Sequence, residues 1–170
     1  MRPLGALFLA ALLTGATAPW PDEPSRTCFF QMLSGGDSFF CRGDLEVIYP
    51  ELGDVSCSYI PKCHQYRERI SREWGSPRVR YPQADKGANL RTGDIKGHVL
   101  TDYVRPTPPP RSGYHRYQLL LHEQPAHEAI TLSPEERISL GSWAMESFVK
   151  QFRLGTPVAS TQFLTKNHQD

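Results

Sequence analysis

His115 and Tyr117 stand two apart in the segment SGYHRYQLLL, Ser112 to Leu121, directly after the proline run RPTPPP. In an extended chain alternate side chains share a face, so the imidazole and the phenol point one way and Arg116 the other. Together they supply ring N–H and O–H donors, a set suited to the oxygens of a phosphate or carboxylate. Pro108, Pro109 and Pro110 fix the preceding loop and bring no competing backbone N–H, so they can wall the same site. The competing reading is a half-buried pair whose polar atoms the surrounding protein satisfies.

Other chemistry is excluded by spacing. HEQPAHE sets His122 and His127 five apart with Pro125 between them, where no helix interior tolerates it, so it is not a zinc-protease helix. There is no G-x-S-x-G, Walker loop or nucleotide fingerprint, and nothing calls for a metal, a cofactor or catalysis. Arg42-Gly43-Asp44 matches the tripeptide that integrins read at loop tips. It abuts Cys41 and an expected strand, which presents it poorly and makes chance the simpler explanation. Pro106 and Pro109 fit P-x-x-P spacing, but in an exported chain such a run serves as a stiff corner.

Export is the expectation from the N-terminus. Arg2, the apolar block Leu4 to Leu13 and the small residues TGATA follow the order of a secretory signal peptide, with cleavage after Ala16 or Ala18. The block is too short to span a bilayer, and no later segment is a transmembrane candidate. Residues 1–18 are therefore expected to be removed, leaving enough chain for one domain, secreted or held in the lumen of the secretory or lysosomal pathway. In that setting Cys28, Cys41, Cys57 and Cys63 are expected to form two disulfides. Short loops close most readily, which favours Cys57 with Cys63 and Cys28 with Cys41, while crossing pairings stay open. No C-x-x-C occurs, and the spacings suit no common zinc module.

A net charge of +1 gives no bulk attraction to nucleic acid or membranes. Lys62 to Arg91 is locally basic, with eight Lys or Arg against three acidic residues. Such a run is a solvated face or, less simply, a patch for anionic head groups or sulfated glycans.

Periodicity supplies the elements. DLEVIY (Asp44–Tyr49), VSCSYI (Val55–Ile60), PRVRY, HVLTDYV (His98–Val104), His115–Leu121 and EAITL (Glu128–Leu132) read as strands. Tyr66, Ile70 and Trp74 predict a helix over 62–74. Trp143, Met145, Phe148, Val149 and Phe152 predict a second helix packed on the strands, capped by Ser142 and ended by Gly155. Many short strands with two modest helices in non-alternating order define a β-dominated fold, a sandwich. The lead PWPDEPSR reads as mobile.

LEVIYPELG, HVLTDYV, PPPRSGYHRYQ and GSWAMESFVKQFRLGTPVASTQF together resemble the phosphatidylethanolamine-binding proteins over most of Leu45 to Phe163. The resemblance implies a β-sandwich with a small surface cavity for phosphate or phospholipid head groups, lined at positions matching Pro108, Pro109, His115 and Tyr117. It also implies a non-catalytic binding role, with serine-protease inhibition or modulation of signalling through protein partners as alternatives. One departure stands out. The Asp-Pro-Asp-Ala-Pro and aromatic-x-His-Trp segments of the family are absent. The gap near residues 87–91 is on the order of 35 residues, room for two average strands and their loop. The expected organisation is thus a signal peptide over 1–18, a mobile cysteine-bearing lead over 19–43, and a family domain over 44–170. That domain is incomplete, as an alternatively spliced isoform would be, with half of the cavity missing.

Overall fold

The computed structural model describes residues 28–86, 97–127, 129–138 and 144–170. The expected signal peptide, the proline-rich lead PWPDEPSR, the expected point of internal deletion, Ser142 and Trp143 lie outside them. Seven strands among the described residues form two sheets with a few short helices, the β-dominated fold the sequence predicts. The strands are β1 (Gln31–Met32), β2 (Glu46–Tyr49), β3 (Gly53–Asp54), β4 (Ser58–Tyr59), β5 (Arg78–Arg80), β6 (His115–Leu121) and β7 (Ala159–Thr165). One sheet has the order β1-β4-β7-β6 and the other β3-β2-β5. The helices are α1 (Tyr66–Arg72), α2 (Pro134–Ile138) and α3 (Met145–Gln151).

The two sheets share a core. On β2, Val47 and Tyr49 are fully buried while Glu46 and Ile48 are half-buried, the alternation of a strand with one face inward. Their inward side chains meet Phe163 of β7, Ile60, and Ile70 and Trp74 from α1 and its end, with Tyr117 and Leu119 of β6 packed alongside. Each such side chain contributes about 1.5–3 kcal/mol by leaving water. β7 is buried along its whole length.

Several expectations are corrected. His98–Val104 forms no strand. Its apolar side chains face outward, with Val99 80% and Val104 53% exposed, so the segment lacks a sheet face to bury. The described part of Glu128–Leu132 is likewise irregular, and Leu132 is buried just before α2, whose entry is a reciprocal Ser133–Glu136 capping box. The helix predicted over 62–74 narrows to α1. A 3-10 turn precedes it, because His64 and Gln65 take left-handed backbone (φ 50° and 57°) next to disulfide-bonded Cys63.

α3 carries no fully buried residue and so does not pack on the strands as expected; Phe152 and Leu154, just beyond it, are the buried ones. Its N-cap position is Ala144 rather than Ser142. It ends in a Schellman turn, in which the Leu154 N–H donates to Val149 and the Arg153 N–H to Lys150. Arg153 (φ 52°), not Gly155, occupies the left-handed position of that turn.

The favoured cysteine pairing is also corrected. The disulfides are Cys28–Cys63 and Cys41–Cys57, each with Cα atoms 5.9 Å apart. Loop length loses to topology: β1 pairs with β4, which carries Cys28 toward the start of α1, and Arg42 bridges Ser160 of β7 beside Cys57. Residues 28–43 are consequently part of the folded unit rather than a mobile lead, with Leu33 buried. Gly43 (φ 80°) presses on β7, where an added Cβ would lie 2.9 Å from Ala159 Cβ. Arg42-Gly43-Asp44 is therefore seated against the sheet, not raised on a loop tip.

Peptide mapping without reduction is expected to recover Cys28 linked to Cys63 and Cys41 linked to Cys57. Recovery of a Cys57–Cys63 peptide would contradict this topology. Replacing Cys41 and Cys57 by Ser, which opens a loop of sequence separation 16, is expected to cost about 3 kcal/mol in denaturant unfolding.

Candidate functional site

β6 positions the two candidate donors. It pairs antiparallel with β7 over its full length, setting His115 opposite Thr165 and Tyr117 opposite Phe163. His115 and Tyr117 share the inward, half-buried face, and Arg116 points outward to Asp37 at 2.7 Å. The Tyr117 ring stacks on Phe163, centroids 5.4 Å apart and planes 15° apart, so its orientation is set by the core.

His115 is oriented from the loop before the strand. Ser112 Oγ lies 2.6 Å from His115 Nε2 and donates its only proton to the Pro109 carbonyl at 2.7 Å. The serine oxygen must therefore accept from Nε2–H, which fixes the neutral tautomer with Nδ1 as a bare acceptor. An anion at Nδ1 requires the ring to take a second proton. Pro108 is buried and its carbonyl accepts from Asn167 Nδ2 at 2.8 Å, whereas Pro109 is exposed.

A cluster of phenols stands behind Tyr117. Tyr49 and Tyr103 hydroxyls are 2.6 Å apart. Burial, with Tyr103 close by, raises the Tyr117 pKa; burial also raises those of Tyr103 and Tyr49, with the Tyr103 hydrogen bond adding to the rise at Tyr49. All three stay protonated at neutral pH, so Tyr117 is an O–H donor there.

The structure thus brings His115, Tyr117, Pro108 and Pro109 onto one strand and its leading loop. Spacing alone misses Ser112 and Tyr103. Ser112 was signalled by its place three residues after Pro109, the geometry of a serine turn; Tyr103 carried no signal, because its segment reads as a strand. Three clefts among the described residues lie elsewhere: one of about 430 Å³ between Cys41–Glu46 and Ser160–Thr161, one of about 600 Å³ between Glu51, Lys62 and the start of α1, and one of about 350 Å³ between β5 and Leu119–Leu121.

Three residues of the basic run from Lys62 are paired with carboxylates within the fold. Arg69 holds Glu51 through two bonds of 2.6 and 2.7 Å, Arg72 pairs with Glu68, and Arg80 pairs with its cross-strand neighbour Glu46.

Residues 63–163 match the family model described as phosphatidylethanolamine-binding protein. That span is more than half of the chain and contains Pro108, Pro109, His115 and Tyr117. The chain belongs to the phosphatidylethanolamine-binding protein family. No solved structure matches it.

The phenol cluster sets an alkaline limit. Because the native phenols hold their protons to higher pH than unfolded ones, their contribution to stability is complete below about pH 10 and is lost as pH rises through their native values. Unfolding free energy is expected to be flat toward that limit and to fall beyond it, with a shallower fall in Tyr49→Phe. An unchanged slope in the variant would show that Tyr49 does not titrate this way.

Proposed function

We propose that the protein is a secreted, non-catalytic binding protein for phosphorylated or otherwise anionic head groups of the phospholipid type. Family membership supports the ligand class. The observation that carries the assignment to residues is the shared inward face of His115 and Tyr117, with Ser112 holding the imidazole and Phe163 holding the phenol. Tyr117 donates its O–H, the protonated His115 donates from Nδ1, and Pro108 and Pro109 shape the edge.

The leader-like N-terminus, the early cysteines and the Ser142–Phe148 segment resemble the secreted phosphatidylethanolamine-binding protein 4, which supports an extracellular or luminal setting. Two disulfides accord with it. A second reading, an alternatively spliced form whose site is defective and which acts through protein contacts alone, is favoured by the outward-facing apolar residues of 97–104 beside the absent family segments.

Calorimetric titration with glycerophosphoethanolamine decides between them. Binding is expected to weaken about tenfold in Tyr117→Phe, the scale of one lost hydrogen bond to a charged group. His115→Gln is expected to weaken binding as well. Absence of heat from the wild type would favour the site-defective isoform.

A further inference from the structure

Thr161 is the exception among the buried hydroxyls on β4 and β7. Ser58 donates to the Val55 carbonyl, Ser160 to that of Phe40 and Thr165 to that of Lys166. Thr161 is 2% exposed, yet its Oγ1 has no hydrogen-bond partner among the described residues. A buried hydroxyl left unpaired is destabilising and calls for a physical reason. Its surroundings supply one. Thr161 stands on the same face of β7 as Ala159, against which Gly43 presses, and it lines the cleft of about 430 Å³ shared by residues 41–46, Asp54, Ser56, Cys57 and Ser160. That volume lies within the range of small-molecule sites, about 300–1,000 Å³. Arg42 and Ser160 close one wall by exchanging backbone bonds of 2.7 and 2.8 Å, and the Cys41–Cys57 bridge pins it.

The lining is acidic. Three of its side chains are carboxylates, Asp44, Glu46 and Asp54, against one basic group, Arg42. Glu46 is held by Arg80 at 2.8 Å. Asp44 and Asp54 are met by neutral N–H groups: the Gln83 amide at 2.9 Å for the first, and the backbone N–H groups of Val47 and Ser56, both at 3.0 Å, for the second. The three carboxylates come from the turn before β2, the start of β2 and the end of β3. Among the described residues they do not converge on one point that could hold a metal ion. Carboxylates spread along a cleft suit a cation that is itself extended, with separate N–H donors for separate oxygens. A primary ammonium carries three such donors and is accepted by a hydroxyl oxygen as well as by a carboxylate.

We propose that this cleft binds an aliphatic polyamine, with Thr161 Oγ1 at the floor accepting from one ammonium group and Asp44 and Asp54 at the mouth taking others. Thr161 lies four residues along β7 from Thr165, the partner of His115, a distance of about 13 Å. The site is therefore separate from the donor pair of β6 and does not depend on the reading proposed for that pair.

The test titrates spermidine into the full chain by calorimetry at constant ionic strength and follows the unfolding of each variant in denaturant. The wild type is expected to bind saturably. Asp44→Asn and Asp54→Asn keep an oxygen to accept the bonds above and remove the charge, and each is expected to weaken binding about threefold, the scale of an exposed ion pair. Asn also tolerates the left-handed backbone at position 44 (φ 55°). Arg42→Gln, which removes the opposing charge, is expected to tighten binding by a similar factor. Thr161→Val separates a ligand group from a structural flaw. It is expected to raise the denaturation midpoint of the free protein, because an unpaired hydroxyl is gone, and to weaken spermidine about fivefold. A raised midpoint with unchanged affinity overturns the proposal. Unchanged affinity in both Asn variants does the same, as does absence of heat in the wild type, or equal competition by calcium, which marks attraction by net charge alone.

Discussion

The antiparallel ladder between β6 and β7 is the constraint on which the rest of this structure depends. It runs through seven matched pairs, from His115–Thr165 to Leu121–Ala159. One face of β7 carries Phe163 into the core under Tyr117. Its other face is roofed by the N-terminal segment: Ser160 Oγ donates to the Phe40 carbonyl at 2.6 Å and Gln162 Nε2 to the Asp37 carbonyl at 2.7 Å. The Cys41–Cys57 bridge holds that roof down. A single strand therefore ties together the candidate site, the core and the disulfide-bonded N-terminal region.

This double burial explains why β7 is the element least legible in the sequence. ASTQFLT has no alternation of apolar and polar residues, since the polar side chains turned away from the core, Ser160 and Gln162, bond to carbonyls of a 3-10 turn over Gly35–Phe40 instead of to water. Period-two reading works where one face is wet, and it recovers β6 to the residue and the inward pair Val47 and Tyr49 of β2. It fails in the opposite direction at His98–Val104, where β-branched and aromatic residues occur without a neighbouring strand. Strand composition is a statement about fitting a half-buried surface, and it cannot report whether that surface exists. Among the described residues no strand pairs with 98–104, so apolar residues suited to a sheet remain exposed there.

The candidate site was legible to the extent that it depends on backbone period. His115 and Tyr117 follow from two-residue spacing, and the resemblance adds Pro108 and Pro109. The protonation logic was not legible, because it resides in a contact between a loop and a strand. Ser112 has one proton, and the Pro109 carbonyl takes it. This forces the imidazole to spend Nε2–H on the serine and leaves Nδ1 without a proton in the neutral ring. A histidine that looks like a ready donor in the sequence is thus a conditional one in the fold, whereas Tyr117, kept protonated by burial, is an unconditional donor.

The same kind of distinction separates charge that is present from charge that is usable. Eight basic residues between Lys62 and Arg91 suggest a cationic surface, yet Arg69, Arg72 and Arg80 have their carboxylates within the fold, at i+4 positions, across a strand pair or on the adjoining turn. Surface pairs of this kind contribute little stability, about 0–1 kcal/mol each, but they cancel field that would otherwise reach a ligand. Arg67 is different because the chain buries it, where it donates to the Ile60 carbonyl, the Tyr114 hydroxyl and an oxygen of Asp170. Since Thr165 pairs with His115, the residues that follow it must leave the ladder beside the proline loop, which places Asn167 on Pro108 and Asp170 on Arg111. The loop from Pro108 to Tyr114 is therefore held from both sides, the Pro109 carbonyl by Ser112, which orients His115, and the Pro108 carbonyl by Asn167 of the segment after β7.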